Sequence, residues 1–187
     1  MILYFNHLDA PYVCVFDIEH DQCELVQFAG LMFKRVGDGL YQLCRNINLY
    51  FKHKVSVFFQ QFSKISQDFL DTNGLEKTEG LQMLDNFFYG IDKKDIVLSS
   101  HGVFQDTIIL NRNGFATDKF QTLCTYELSK TTMSRRNHLT VRDLCNECGC
   151  IGLADHNAYN DAIMTAFILS FLLKQGDEQH EDVEPNR

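Results

Sequence analysis

Asp17 and Glu19 stand at alternate positions where the apolar run Val13-Cys14-Val15-Phe16 would otherwise continue. Side chains alternate across an extended chain, so Val13, Val15, Asp17 and Glu19 share one face. The two carboxylates then lie roughly 6.5 Å apart along the strand. Two carboxylates that close repel each other unless something positive sits between them. A strand end running into solvent is the ordinary source of an isolated pair of this kind, so partners elsewhere must decide. Two later segments supply them. Asp106 follows "VLSSHGVFQ" near the start of a helix, and His156 precedes Asp161 by five residues at the head of the helix "NDAIMTAFIL". Taken singly, Asp106 reads as a helix N-terminal acid, and Asp161 as an acid favouring the dipole behind an Asp155 or Asn157 cap. Together, four acids from three segments make an oxygen-donor set for hard divalent ions such as Mg²⁺ or Mn²⁺. Imidazole is the side chain that exchanges a proton near neutral pH, which suits His156 to be a general base. The chemistry these residues can do together is metal-assisted phosphoryl hydrolysis. In it, two ions about 3.5–4 Å apart clamp the attacking and leaving oxygens.

These side chains need a scaffold, and the pattern of the chain supplies one. Residues 12–17 read as a strand, followed by strands at "CELVQFAGLMFKRV" and "GLYQLCRNINLY", parted by the turn signal Gly37-Asp38-Gly39. From Ser56 to Tyr89 apolar residues fall at helical spacing, interrupted at Gly74 and Gly80. "DIVLSS" reads as a short buried strand and "FQDTIILNRN" as the start of a helix. Further helices are expected near 118–130, 139–148 and 158–174. Strands first, then strand–helix alternation, imply an α/β fold with a mixed sheet and helices on its faces.

Composition bounds the rest. A chain of 187 residues, 45% hydrophobic and 22% charged, is an ordinary globular protein with one core. Its longest nearly apolar run, Ala166 to Leu173, is too short to span a bilayer, so no membrane partner is expected. The N-terminal stretch lacks a secretory pattern, and seven irregularly spaced cysteines fit reduced thiols in a cytoplasmic compartment. The net charge of −8 argues against nucleic acid, yet half of it sits in the tail 176–187, with five acids and one base. We expect a domain over 1–175 and a solvated, disordered acidic tail over 176–187.

The order D-x-E, then D, then H-x4-D resembles the DEDDh 3′→5′ exonucleases, the family of ribonuclease T and the proofreading subunit of bacterial DNA polymerase III. The resemblance covers roughly residues 11–174. "ELVQFAGLMFKRV" looks like the family's second strand, and "FSKIS" is similar to the segment often written L-T-G-I-T. "HNAYNDA" is close to the pattern H-x-A-x-x-D-A. The second motif departs from the family's H-N-x-x-F-D, because Gly102 and Gln105 replace Asn and Phe. A family Asp is replaced by Thr122 or Thr125. The resemblance implies a ribonuclease H-like fold with a five-stranded mixed sheet, and a metal-dependent 3′→5′ exonuclease acting on single-stranded DNA or RNA ends. It also implies two divalent ions, with Asp17 bridging both, Glu19 and Asp161 on one, and Asp106 on the other. His156 is the implied base, because the tyrosine-type sister family would place Tyr where Asn157 stands. His20, Phe62 and His101 are the further candidate substrate contacts, with a core role as the alternative for Phe62; the family uses the position of His101 mainly for structure near the site.

Other features carry less. Cys145, Cys148 and Cys150 offer a single C-x-x-C, too few ligands for structural zinc, and are expected to be buried thiols. Lys52-His53-Lys54, Lys93-Lys94 and Arg135-Arg136 are phosphate-contact candidates whose simpler reading is a solvated face. The 16 Phe and 7 Tyr read mainly as core filling. DNA and RNA substrates are not separated by these residues, and a polymerase partner or a homodimer stays open. The alternative from another class is a catalytically degenerate module that binds nucleic acid or a polymerase.

Overall fold

Three long strands, each buried on at least one face, set the architecture. β2 (Tyr12–Asp21), β3 (Glu24–Arg35) and β4 (Leu40–Tyr50) form an antiparallel meander. β5 (Ile96–Ser100) adds to β2 in parallel and β6 (Gln121–Cys124) adds to β5 in parallel. β1 (Ile2–Tyr4) pairs antiparallel with the start of β4, giving the order β1-β4-β3-β2-β5-β6. The computed structural model describes residues 1–133, 139–150 and 156–181, with side chains described as far as Gln175. The helices are α1 (Val57–Ser63), α2 (Gln67–Asn73), α3 (Lys77–Phe88), α4 (Val103–Arg112), α5 (Thr125–Thr132), α6 (Val141–Cys148) and α7 (Ala158–Glu181).

β3 is buried without a break from Leu25 to Phe33, as a central strand covered on both faces must be. On one face Cys14, Phe16, Phe28 and Met32 pack with Leu84, Phe88, Ile109 and Leu110 of α3 and α4. On the other, Val13, Val15, Ala29 and Leu31 meet Ala158, Ala162, Ala166 and Leu169 of α7. The alanines recur every fourth residue, which puts one small stripe along the helix and lets α7 lie close against the sheet. Val13 and Val15 face α7, so Asp17 and Glu19, next in the alternation, face it too.

The sheet has six strands rather than the five expected. The two end strands hold three and four residues, too few for alternation to show in sequence, and pairing with a longer neighbour makes them strands. For the same reason the helix expected near 118–130 is β6 followed by α5. β2 runs on to Asp21, so Asp17 and Glu19 lie within a paired strand and not at a frayed end. α7 extends through Glu181; residues 182–187, Arg135-Arg136 and Asp155 lie outside the described residues.

Leu84 is fully buried at the centre of the α3–α4 face. Leu84→Ala should cost about 2–5 kcal/mol of stability, read as a lowered urea midpoint at unchanged slope.

Candidate functional site

The three acids Asp17, Glu19 and Asp161 come from β2 and from the first turn of α7, and they converge. One ligand oxygen from each can be chosen so that all lie within 4.8 Å of one another. Asp106, in the first turn of α4, joins them from the β5 side, close enough that its charge acts on both Asp17 and Glu19. Ser100, the last residue of β5, donates its hydroxyl to Asp106 Oδ2 at 2.5 Å and so fixes that carboxyl at the mouth of the strand. All four acids predicted from sequence are therefore brought together.

The electrostatics follow from burial and crowding. Burial, then the charges of Asp106, Asp161 and Glu19, push Asp17 well above the ordinary carboxylate range; the Ile18 amide pulls weakly the other way. Burial and the same neighbours raise Glu19 to about 7. Burial raises Asp106 to about 6, opposed by the hydrogen bond from Ser100. Burial is the first cause for all three, and for Asp17 and Glu19 the charges of neighbouring carboxylates add to it. A hard divalent cation would relieve that repulsion and favours oxygen donors of this kind, so the donor set fits such an ion.

Several side chains that the sequence did not single out hold the acids in place. Gln27, fully buried on β3 opposite Glu19, accepts the Ala158 amide through Oε1 at 3.1 Å and donates through Nε2 to Asn48 at 2.8 Å. Asn157 Oδ1 accepts the amides of Tyr159 and Asn160 at 3.1 and 3.3 Å. Three amides at the head of α7 are thus satisfied by side chains, and one of those side chains ties the helix bearing Asp161 to the sheet bearing Asp17. Asp21, at the end of β2, accepts the Ser56 amide and hydroxyl at 2.6 and 3.1 Å, while Ser56 caps α1 by accepting the Phe59 amide. A polar residue in the apolar run Leu25–Phe33 is the one signal that could have exposed Gln27.

The remaining candidates fall at the margins. His156, at φ +59°, turns the chain into α7, and its ring lies against Phe62 with centroids 3.7 Å apart. His20 is exposed just past a register shift between β2 and β3 at Glu19/His20. His101 faces inward: Nε2 donates to the Leu139 carbonyl at 2.8 Å, and Nδ1 lies 3.1 Å from the Thr125 hydroxyl. Those contacts brace the start of α4. Gln105 is exposed and Gly102 has open space around it, so neither departure in the second motif disturbs Asp106. Lys52 pairs with Glu76, Lys94 with Asp92, and Lys93 lies over the rings of Phe115 and Phe120. Cys145 is buried, and burial together with the neighbouring Cys150 pushes the Cys148 thiol up to about 12.

No protein-family model matches the sequence, and no curated protein does either. Solved structures do. Cell-death related nuclease 4 superposes with a TM-score of 0.72 at 15% identity, over 92% of this chain and 67% of that one. A 3′-exonuclease described in 3′-end specific recognition of a histone mRNA stem-loop gives 0.73 at 10%, over 92% and 66%. E. coli exonuclease I in complex with a dT13 oligonucleotide gives 0.72 at 9%, over 91% of this chain and 43% of its own. The chain thus spans about two thirds of the first two and less than half of the third. What the likeness establishes is the fold, the ribonuclease H-like α/β architecture of exonucleases.

Crowding in the site gives the metal-free protein a definite pH dependence. Glu19 titrates near 7 in the fold against an ordinary 4.5, and Asp17 and Asp106 are displaced the same way. A raised carboxyl contributes stability that is full below its unfolded pKa and is lost as pH rises through the folded value. The Tm measured in chelator should therefore rise as pH falls from about 8 to about 6. Asp17→Asn should raise the Tm at the upper pH and flatten the dependence. A Tm that falls over this range in wild type and matches the variant throughout would contradict the electrostatic picture.

Proposed function

We propose that this chain is a metal-dependent 3′→5′ exonuclease that hydrolyses phosphodiesters at single-stranded DNA or RNA ends and releases nucleoside 5′-monophosphates. The observation that carries the reading is the convergence of Asp17, Glu19 and Asp161 within 4.8 Å, beside Asp106 and at the foot of a helix preceded by His156. A likeness in fold to exonucleases that take oligonucleotides or RNA 3′ ends supports it.

Asp17, Glu19, Asp106 and Asp161 would hold two divalent ions, Mg²⁺ or Mn²⁺. Bound there, the ions would neutralise charge building on the phosphoryl oxygens and make the site acceptable to a polyanion. The protein's own part is geometric and protolytic. Asp17 and Glu19 sit on a paired strand whose position is fixed from both sides. Asp161 is fixed through Gln27, and Asp106 through Ser100. His156 takes a proton from the attacking water as its oxygen bonds to phosphorus. The bond to the 3′-oxygen breaks, and that oxygen takes a proton from solvent, leaving a hydroxyl on the shortened strand and a 5′-monophosphate. Phe62, whose ring lies against His156, would meet the terminal nucleotide, with His20 as a further contact, while His101 supports α4 from within.

The test uses 3′- and 5′-labelled DNA and RNA strands with Mg²⁺, Mn²⁺ or chelator. We expect stepwise release of 5′-monophosphates from the 3′ end, none in chelator, and none from Asp17→Ala. His156→Ala should keep nucleic-acid binding and lose about 10²–10⁴-fold in single-turnover rate. Its residual rate should rise with pH, while Tyr159→Phe stays near wild type. If Tyr159→Phe is the crippled variant, the base is misassigned. If wild type binds strands but cuts none with either metal, the chain is a binding module.

A further inference from the structure

Among the described residues, the group whose ligand atoms come within 4.8 Å holds Asp17, Glu19 and Asp161, and the His156 imidazole, like the Asp106 carboxyl, lies outside it. The imidazole lies instead against Phe62, ring centroids 3.7 Å apart and planes at 40°. Phe62 is itself stacked on Phe58, centroids 6.2 Å apart and planes at 10°, and both rings are exposed to solvent, at 48% and 76%. The helix that carries them is tied to the strand that bears Asp17 and Glu19. Asp21, four residues beyond Asp17 on the same strand, holds Ser56, the cap of α1. A cleft of about 320 Å³, bordered by His156, Asn160, Tyr50 and Phe69, leaves the imidazole room to turn.

We infer that Phe62 is a positioning residue for His156: its ring keeps the imidazole away from the carboxylates, and the terminal base of a bound strand takes over that ring face and releases the imidazole for proton transfer. The inference rests on the exonuclease reading above. The energetics favour such an exchange. An aromatic pair shifts a two-state population by only about two- to tenfold, and a base stacked on an aromatic side chain is worth at least as much, so an incoming base can displace the imidazole. Proton transfer then becomes available when an intact base occupies the site. A 3′ end lacking its base would bind through the phosphates and leave His156 on Phe62.

The experiment compares single-turnover rates at saturating concentrations of two oligonucleotides, one with an ordinary 3′ nucleotide and one with an abasic 3′ residue, in Mn²⁺. Wild type should cut the abasic end slowly. Releasing His156 from a ring contact changes its free population by about two- to tenfold, so Phe62→Ala should speed the abasic end by that same factor. The same variant should weaken the apparent affinity for the ordinary end, and the ratio of abasic to ordinary rates should rise. Phe62→Leu, which keeps the bulk but has no aromatic face, should behave like Phe62→Ala. A role in stacking alone predicts the opposite, an unchanged or slower abasic rate in both variants, and that result overturns the inference. A second readout needs no turnover. The His156 ring resonance, assigned by its loss in His156→Ala, should shift when adenosine, which carries no phosphate, is added at millimolar concentration to metal-free wild type and stay fixed in Phe62→Ala. A resonance in wild type that adenosine does not move overturns the inference as well. Absence of all cutting in metal would instead count against the exonuclease reading, and the resonance would still decide whether Phe62 holds His156.

Discussion

Mutual repulsion among buried carboxylates is the constraint on which the rest of this structure depends. Asp17, Glu19 and Asp106 are all held above their ordinary pKa by burial and, for the first two, by the charges of neighbouring acids. Left to themselves such groups would move apart or turn to solvent. The fold prevents this by placing Asp17 and Glu19 in the middle of a paired strand and Asp161 in the first turn of a helix lying tight against that strand. That repulsion would make the site receptive to divalent cations, and through them to a polyanion that a chain of net charge −8 would otherwise turn away.

Holding that geometry falls to unremarkable side chains. The alanine stripe of α7 brings the helix to the sheet, and Gln27 fixes its first turn at one point. Ser100 fixes Asp106, and His101 with Thr125 and the Leu139 carbonyl braces the turn before it. Asp21 carries the positional information of β2 out to α1, where exposed aromatic rings lie next to His156. The acids are held through hydrogen-bonded neighbours, whereas the contact of the His156 imidazole is with a ring, that of Phe62.

How much of this the sequence revealed follows from the range of each interaction. The four acids were legible because each lies at a characteristic offset within a strongly patterned element: alternation for Asp17 and Glu19, and helix heads for Asp106 and Asp161. The long strands and the order of the helices were legible for the same reason. β1 and β6 were not, since three or four residues show no periodicity and become strands only by pairing with β4 and β5. The roles of Gln27 and Asp21 were hidden because their partners, Ala158 and Ser56, are remote in the chain. His101 was read as a candidate substrate contact from its place in the motif. Its inward hydrogen bonds depend on Thr125 and Leu139, which no local pattern connects to it.

The central claim, that these carboxylates form a divalent-cation site kept partly protonated by their own crowding, can be tested without any nucleic acid. Mn²⁺ titration by calorimetry at pH 7, repeated in buffers of different ionisation enthalpy, counts the protons released on binding. Cation binding requires the acids to ionise, and Glu19 titrates near 7 in the fold. The account predicts saturable binding with net proton release that shrinks as the pH is raised, and loss of the binding in Asp17→Ala. Mn²⁺ binding with no proton release and no dependence on Asp17 would contradict it.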